Sequence, residues 1–428
     1  MTGRRSSTRD RIVPRSPIRT TAVLLSAAMV AGCGLVPGGD AKSVGKPPVT
    51  VMTWAPEKTG ATNMPGVPAM ARAYARWINA HGGIGGRTLK VLTCNDHNDS
   101  VDAARCARSA VQHDAVAVVG AYSQHSNAFL PPLESAGIPY LGGYGATEAE
   151  FTSPLSYPVN GGQAALLAGN GRQLSGPCAR TVLIRPDSIA GDQLPPLLNS
   201  GLALHHRPAA VDMLTADDAT DYADQARRAL DAASRAPQGE GCVAAVLGER
   251  TNTFFDSFRR LRDDYPSVRT ATVLGSVDQT VVDRTGGPKS PYEGAYVTSW
   301  YPASGDARWD PMKRAINEQA FGDNRIDPAD AGVQTTWIAY EVLRQIIESV
   351  GDGAVTARTV RTALDDDVKV TTGGLTPPLR WGYDHMSPVG DYPRLVNARV
   401  TFQKVVSGRL TATRKSSVDV TGTLAGLS

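Results

Sequence analysis

Short apolar runs alternate with segments of helical periodicity along most of this chain. Val49-Thr50-Val51-Met52-Thr53 precedes an amphipathic helix expected at 65–80, and the run at 89–93 precedes one at 103–112. Val116-Ala117-Val118-Val119 leads to a helix at 127–135, and Ile138-Pro139-Tyr140-Leu141 closes the set. After a connection through Tyr157-Pro158-Val159 and a helix at 162–173, the alternation restarts, with strands expected at 181–184, 209–213, 243–247 and 270–274. Helices at 195–204, 222–234 and 254–263 separate them, and helices at 311–319, 331–349 and 359–364 follow a run at 294–299. Strands that are apolar throughout, rather than at every second residue, are covered on both faces, as in parallel α/β sheets. Two such sets predict two doubly wound domains, in keeping with 428 residues at roughly 100–200 per domain. Residues at about 394–413 alternate in the manner of antiparallel strands.

The N-terminus predicts export. Arg4, Arg5, Arg9, Arg11, Arg15 and Arg19 stand against Asp10 alone, and a short apolar stretch at 22–31 follows. That order is a secretory signal, too short for a membrane span. It ends Val30-Ala31-Gly32-Cys33, which resembles a bacterial lipobox with Val where Leu is usual. The resemblance implies cleavage after residue 32 and a lipidated Cys33. Residues 34–47 would be a flexible tether on the outer face of the cell membrane, since two acyl attachments together anchor stably. Without 1–32, the 44 bases and 41 acids become 38 and 40, so the formal charge falls from +3 to −2. The argument for a nucleic-acid partner leaves with the leader.

Four cysteines remain in an oxidising compartment, with three possible pairings. The short separation favours a Cys94–Cys106 bridge. Cys178 and Cys242 each precede an apolar run, and they share a sheet edge if those strands are parallel neighbours. No C-x-x-C occurs and His97 is the only imidazole nearby, which argues against zinc.

Catalytic signatures are missing: no G-x-S-x-G, H-E-x-x-H, Walker A loop or G-x-G-x-x-G after a strand. The glycines of His81-Gly82-Gly83-Ile84-Gly85-Gly86-Arg87 follow a helix and precede a strand, so they read as a helix stop and tight turn. His205-His206 and Asp365-Asp366-Asp367 read as solvated helix ends. No metal or cofactor is expected.

The segment Ile78 to Arg87, Asp96 after the next strand, Val116-Ala117-Val118-Val119-Gly120, Ala136-Gly137-Ile138-Pro139, Gly145-Ala146-Thr147, Tyr292-Glu293-Gly294-Ala295-Tyr296-Val297-Thr298 and Thr372-Gly373-Gly374-Leu375 together resemble the branched-chain amino-acid-binding family. These are type 1 periplasmic-binding proteins that deliver solutes to ABC importers. The resemblance implies a Venus-flytrap α/β fold of two doubly wound lobes joined by three crossovers: lobe 1 at 48–160 plus about 300–372, lobe 2 at 161–299 plus about 373–428. It implies a non-enzymatic lipoprotein that captures a small polar solute, an amino acid or amide, by hinge closure and hands it to permease subunits. A lipoprotein presenting solute to a separate receptor, or a cell-envelope enzyme, are the alternatives.

By the same resemblance, Ser123, Ser126, Gly145, Ala146 and Thr147 would meet the solute's carboxylate or carbonyl, and Trp54 would wall the site. In lobe 2, Ser188 begins Ser188-Ile189-Ala190-Gly191, with Ala190 where the family carries an aromatic residue. The acid expected to meet the solute's ammonium falls at Val277, beside Asp278, and Glu249 is a second possible cation partner.

Overall fold

The computed structural model describes residues 46–60, 62–216 and 219–427, without the side chains of 189, 190, 239, 249, 262 and 427. The leader, Cys33 and the tether as far as residue 45 lie outside the described residues. The chain enters the first sheet at once, in β1 (Lys46–Trp54), so the last two residues expected in the tether are strand.

The first sheet has five parallel strands in the order β2-β1-β3-β4-β5, with β2 at Arg87–Cys94, β3 at Val118–Val119, β4 at Tyr140–Leu141 and β5 at Ser156–Tyr157. β5 falls where the sequence suggested only a connection. The second sheet runs β12-β11-β10-β9-β8-β6-β7. Its parallel part comprises β6 (Arg180–Pro186), β7 (Val211–Thr215), β8 (Gly241–Ala245), β9 (Arg269–Val273) and β10 (Tyr296–Ser299). The antiparallel β11 (Arg399–Val406), β12 (Arg409–Ala412) and the short β13 (Val418–Asp419), which pairs with β11, complete it. The chain passes between the sheets three times, at 158–162, at 300–309 and between residues 365 and 399. We call each sheet with its helices a lobe.

Helix boundaries follow from local chemistry. Asp99 caps the helix Ser100–Gln112 by accepting from the N–H groups of Val101 and Asp102, which moves its start ahead of the expected residue 103. Gly83 shows why the glycine cluster cannot be otherwise: it has φ of 73°, and a Cβ there would lie 2.2 Å from the Arg87 carbonyl oxygen. The helix Ala331–Val350 returns to the first sheet after the second crossover and buries Ile338, Leu343, Ile346 and Ile347 completely. Each such aliphatic side chain contributes roughly 1.5–3 kcal/mol. Tyr340 ties that helix to β1 through a 2.7 Å hydrogen bond with the Thr53 hydroxyl.

Both expected disulfides form. Cys94–Cys106 fastens the end of β2 to the following helix, with a Cα separation of 5.7 Å. Cys178–Cys242 joins the starts of β6 and β8 at 5.8 Å, and these strands are parallel neighbours.

Candidate functional site

Parallel sheets place the loops that follow each strand at one edge, where ligands bind. Here the loops after β1 to β4 bring Thr62, Met64, Asn98, Tyr122, Gln124 and Tyr144 opposite Ser188, Leu247 and Gly275 of the loops after β6, β8 and β9. Gln163, Leu166 and Leu194 close one side, and the cavity between them is about 300 Å³. Gly275 of the second lobe lies directly against Tyr144 of the first. Its φ is 88°, and a Cβ there would lie 2.4 Å from the Tyr144 hydroxyl.

No described side chain lining this cavity is charged. Its polar groups are amides, hydroxyls and two phenols. Gln124 donates to the Tyr122 Oη at 3.0 Å and reaches the Thr62 Oγ1 at 3.4 Å. Burial pushes the Tyr122 phenol up to about 12, so it remains neutral and its own proton is available to an acceptor. Tyr144 packs edge-on between Tyr122 at 4.9 Å and Trp300 at 5.1 Å. At the rim, Asn98 Oδ1 is buried without a partner among the described residues, and behind it the fully buried Asp96 interacts with the Ser123 side chain. Asp96 Oδ1 accepts the Asn98 N–H at 3.3 Å, and burial raises this carboxyl.

Of the residues singled out in the sequence, Ser188 lines the cavity, where it also caps a short helix by accepting from the Gly191 N–H at 3.2 Å. Trp54 is instead a core residue, wholly buried and edge-on to Phe129 at 5.2 Å; the aromatic wall is supplied by Tyr122 and Tyr144. Ser123 is buried and accepts the His125 N–H at 3.2 Å, and Ser126 pairs with the Thr147 hydroxyl.

The N–H groups of Gly145, Ala146 and Thr147 already have a carboxylate. Glu150 accepts from them at 3.0, 2.9 and 3.2 Å, and from the Tyr140 hydroxyl at 3.3 Å. The helical turn Ala149–Thr152 folds Glu150 back beneath the loop, so these donors are satisfied within the chain. Burial raises the Glu150 carboxyl to about 7. The three residues line a separate, much narrower pocket that shares only Gln163 with the main cavity.

Asp278 caps the helix Gln279–Arg284, accepting the Val281 N–H at 2.8 Å, and lines a narrow recess beside the cavity with Leu274 and Gln334. Burial raises its carboxyl. Asp330, which caps the helix Ala331–Val350 from the other lobe, is raised to about 7, chiefly by burial and further by the negative charge of Asp278. Glu249 sits in the one-turn helix Gly248–Arg250, and its side chain lies outside those described.

Gln124 and the two tyrosines were not singled out in the sequence. Hydroxyls at helix starts are the sequence signal for such a site, whereas the side chain that turns to the cavity, Gln124, is one residue beyond Ser123. Among the described residues no group of three His, Cys, Asp or Glu could hold a metal ion.

The family described as periplasmic binding protein matches residues 58–393. No curated protein matches the chain. Among solved structures, a substrate-binding periplasmic protein from Ralstonia solanacearum superposes with a TM-score of 0.67 at 18% identity, covering 85% of this chain and 99% of its own. A possible leucine/isoleucine/valine-binding protein from Rhodopirellula baltica gives 0.68 at 14%, covering 88% and 98%. A solute-binding protein of an ABC transporter from Rhodopseudomonas palustris, in complex with 3,4-dihydroxy benzoic acid, gives 0.66 at 15%, covering 87% and 97%. The α/β architecture with its parallel sheets is that of the type 1 periplasmic-binding fold, and with the match over most of its length the chain belongs to the periplasmic binding protein family.

Proposed function

We propose that this chain is the exported solute-receiving subunit of an ABC importer, held at the outer face of the membrane through a lipidated Cys33. It takes up a small uncharged solute with an apolar body and an amide-like or hydroxyl end. Solute docks on one lobe, the other closes over it by rotation about the three crossovers, and the closed form is what permease subunits engage. The moving bodies are 48–160 with about 300–372, and 161–299 with about 373–428. No bond is made or broken.

The observation that carries this reading is the uncharged lining of the cavity at the carboxyl ends of both sheets. An α-amino acid brings two charges, and burying each without a partner is costly. The loop N–H groups that the family resemblance assigns to its carboxylate are held by Glu150. The benzoic acid derivative bound by the Rhodopseudomonas palustris protein agrees with an aromatic or otherwise apolar solute body in this fold. Two phenols, two glutamines and Asn98 supply donors and acceptors for the polar end.

The test is thermal unfolding of the chain without residues 1–33 against a panel of neutral amides, aromatic alcohols, polyols and zwitterionic amino acids. A ligand at 100 times its Kd stabilises by about 2.7 kcal/mol, and the expected result is a saturable shift from one neutral class. A shift from zwitterions alone would overturn the uncharged-solute reading, and no shift from any class would overturn solute capture.

A further inference from the structure

A second and larger cavity, of about 1000 Å³, opens on the crossover side of the molecule and is lined from both lobes. Arg308 and Lys313 face it from the segment that returns to the first sheet, and Arg399, Arg409, Arg414 and Lys415 from the C-terminal strands of the second sheet and the segment after them. Against these six cations stand two lining carboxylates, Asp306 and Asp327.

Little of this positive charge is neutralised locally. Asp306 is hydrogen-bonded by Arg308, at 2.8 Å to both Nε and Nη2, and this pairing, with a smaller pull from Lys313, brings its carboxyl down to about 2. Arg399 and Arg409 stand 3.9 Å from Asp419 and Asp283, at the outer limit of an ion pair, and Arg414 lies over the Phe402 ring at 5.6 Å. Lys313 and Lys415 form no ion pair within 4 Å among the described residues, and Lys313 acts only as a longer-range charge on Asp306, which Arg308 already holds. The clustering is not a by-product of a basic protein, because beyond residue 32 the acids outnumber the bases by two. Like charges gathered from two lobes around a concave space raise the local concentration of anions, and the low-dielectric walls strengthen the field.

We propose that this cavity binds a small polyanion carrying two or more phosphate or carboxylate groups, at a site separate from the uncharged cleft. The concave shape and two-sided lining suit a compact anion bridging the lobes better than an extended surface. Trp300 lines the same cavity, so occupancy has a built-in optical reporter.

The experiment titrates the full-length chain with tripolyphosphate and with citrate by calorimetry and tryptophan fluorescence, at ionic strength held constant with potassium chloride. The expected result is saturable one-to-one binding of at least one probe. It should weaken at least tenfold in the double variant Arg414→Gln/Lys415→Gln, and again in Lys313→Gln on the opposite wall. These side chains are exposed or half-buried, and unchanged thermal unfolding of the variants without anion confirms that they fold. Failure of both probes to saturate, or equal binding by both variants, would overturn the proposal. So would binding to vesicles of anionic lipid with no affinity for either soluble probe, since the face would then be a membrane contact.

Discussion

The loop after β4 and the loop after β9 occupy corresponding places in the two lobes and share a backbone device. Each turns on a glycine at positive φ, Gly145 at 81° and Gly275 at 88°, and each is followed within five residues by a buried or partly buried acid. The acids act differently. Glu150 reaches back and takes three N–H groups of its own loop, whereas Asp278 caps the helix ahead of it and leaves Gly275 and Ser276 facing the cavity. A glycine turn at the carboxyl end of a strand thus says where a ligand could be met, and the next acid decides whether the turn meets one.

The most damaging way to probe this difference is Glu150→Ala. Three loop donors lose their acceptor inside the protein, while the Tyr140 hydroxyl keeps the Ala121 carbonyl at 3.2 Å, and an unsatisfied buried donor costs about 1–3 kcal/mol. A loss of about 3 kcal/mol or more in urea unfolding is expected. Asp278→Ala, which strands a single cap donor, should cost about 1 kcal/mol. Equal losses would mean that the two loops are held in the same way.

Most of the fold could be read from the chain because parallel strands and their helices write their burial into local composition. Thr181-Val182-Leu183-Ile184 and Val243-Ala244-Ala245 were recognisable as strands, and the Cys178–Cys242 bridge followed from their pairing. β5 was not recognisable, since Ser156 and Tyr157 lack the apolar run that marks the equally short β3 and β4. The site was legible only to the level of the loop. Whether Ser123 or Gln124 enters the cavity depends on where the helix Ser126–Ala136 begins, and that is fixed by packing. The carboxylate on the 145–147 loop comes from a neighbour only three residues on, but nothing in Glu150 as a letter separates a buried acceptor from a solvated helix acid. The basic cavity was invisible because it draws on residues as distant as 308 and 415.

Next in size is the effect on the open loop. Gly275→Ala puts a methyl group 2.4 Å from the Tyr144 hydroxyl and imposes a positive φ on a side-chain-bearing residue. The lobes should then close less completely, with solute affinity falling at least tenfold, about 1.4 kcal/mol. Tyr144→Phe in the same chain removes the clashing oxygen and should recover part of the loss. Gly145→Ala is the control. Its Cβ would meet Gly162 Cα at 2.7 Å within the molecule's own packing, so it should lower stability and leave the affinity of the folded fraction near wild type. If Gly145→Ala weakened solute binding as much as Gly275→Ala, the loop after β4 would be part of the site after all.

The smallest expected effect is a pH dependence, and it asks whether Glu150 stands in fully for an external carboxylate. Burial raises its carboxyl to about 7 in the folded protein, against roughly 4.3 for an unfolded glutamate. The folded state therefore holds a proton that the unfolded chain has released, and the associated stability is complete below about pH 4 and lost as pH rises through 7. From pH 6 to 7.5 this amounts to about 1 kcal/mol, at roughly 1.4 kcal/mol per pH unit while the proton is held. Asp330, also raised to about 7, contributes a parallel slope, so the measurement is a difference. Urea unfolding of wild type should lose about 1 kcal/mol more across that interval than Glu150→Gln, which has no proton to release. Identical slopes would show that the three N–H groups keep Glu150 ionised throughout. The loop after β4 would then hold a full negative charge beside the cleft, and that charge would itself repel an anionic solute.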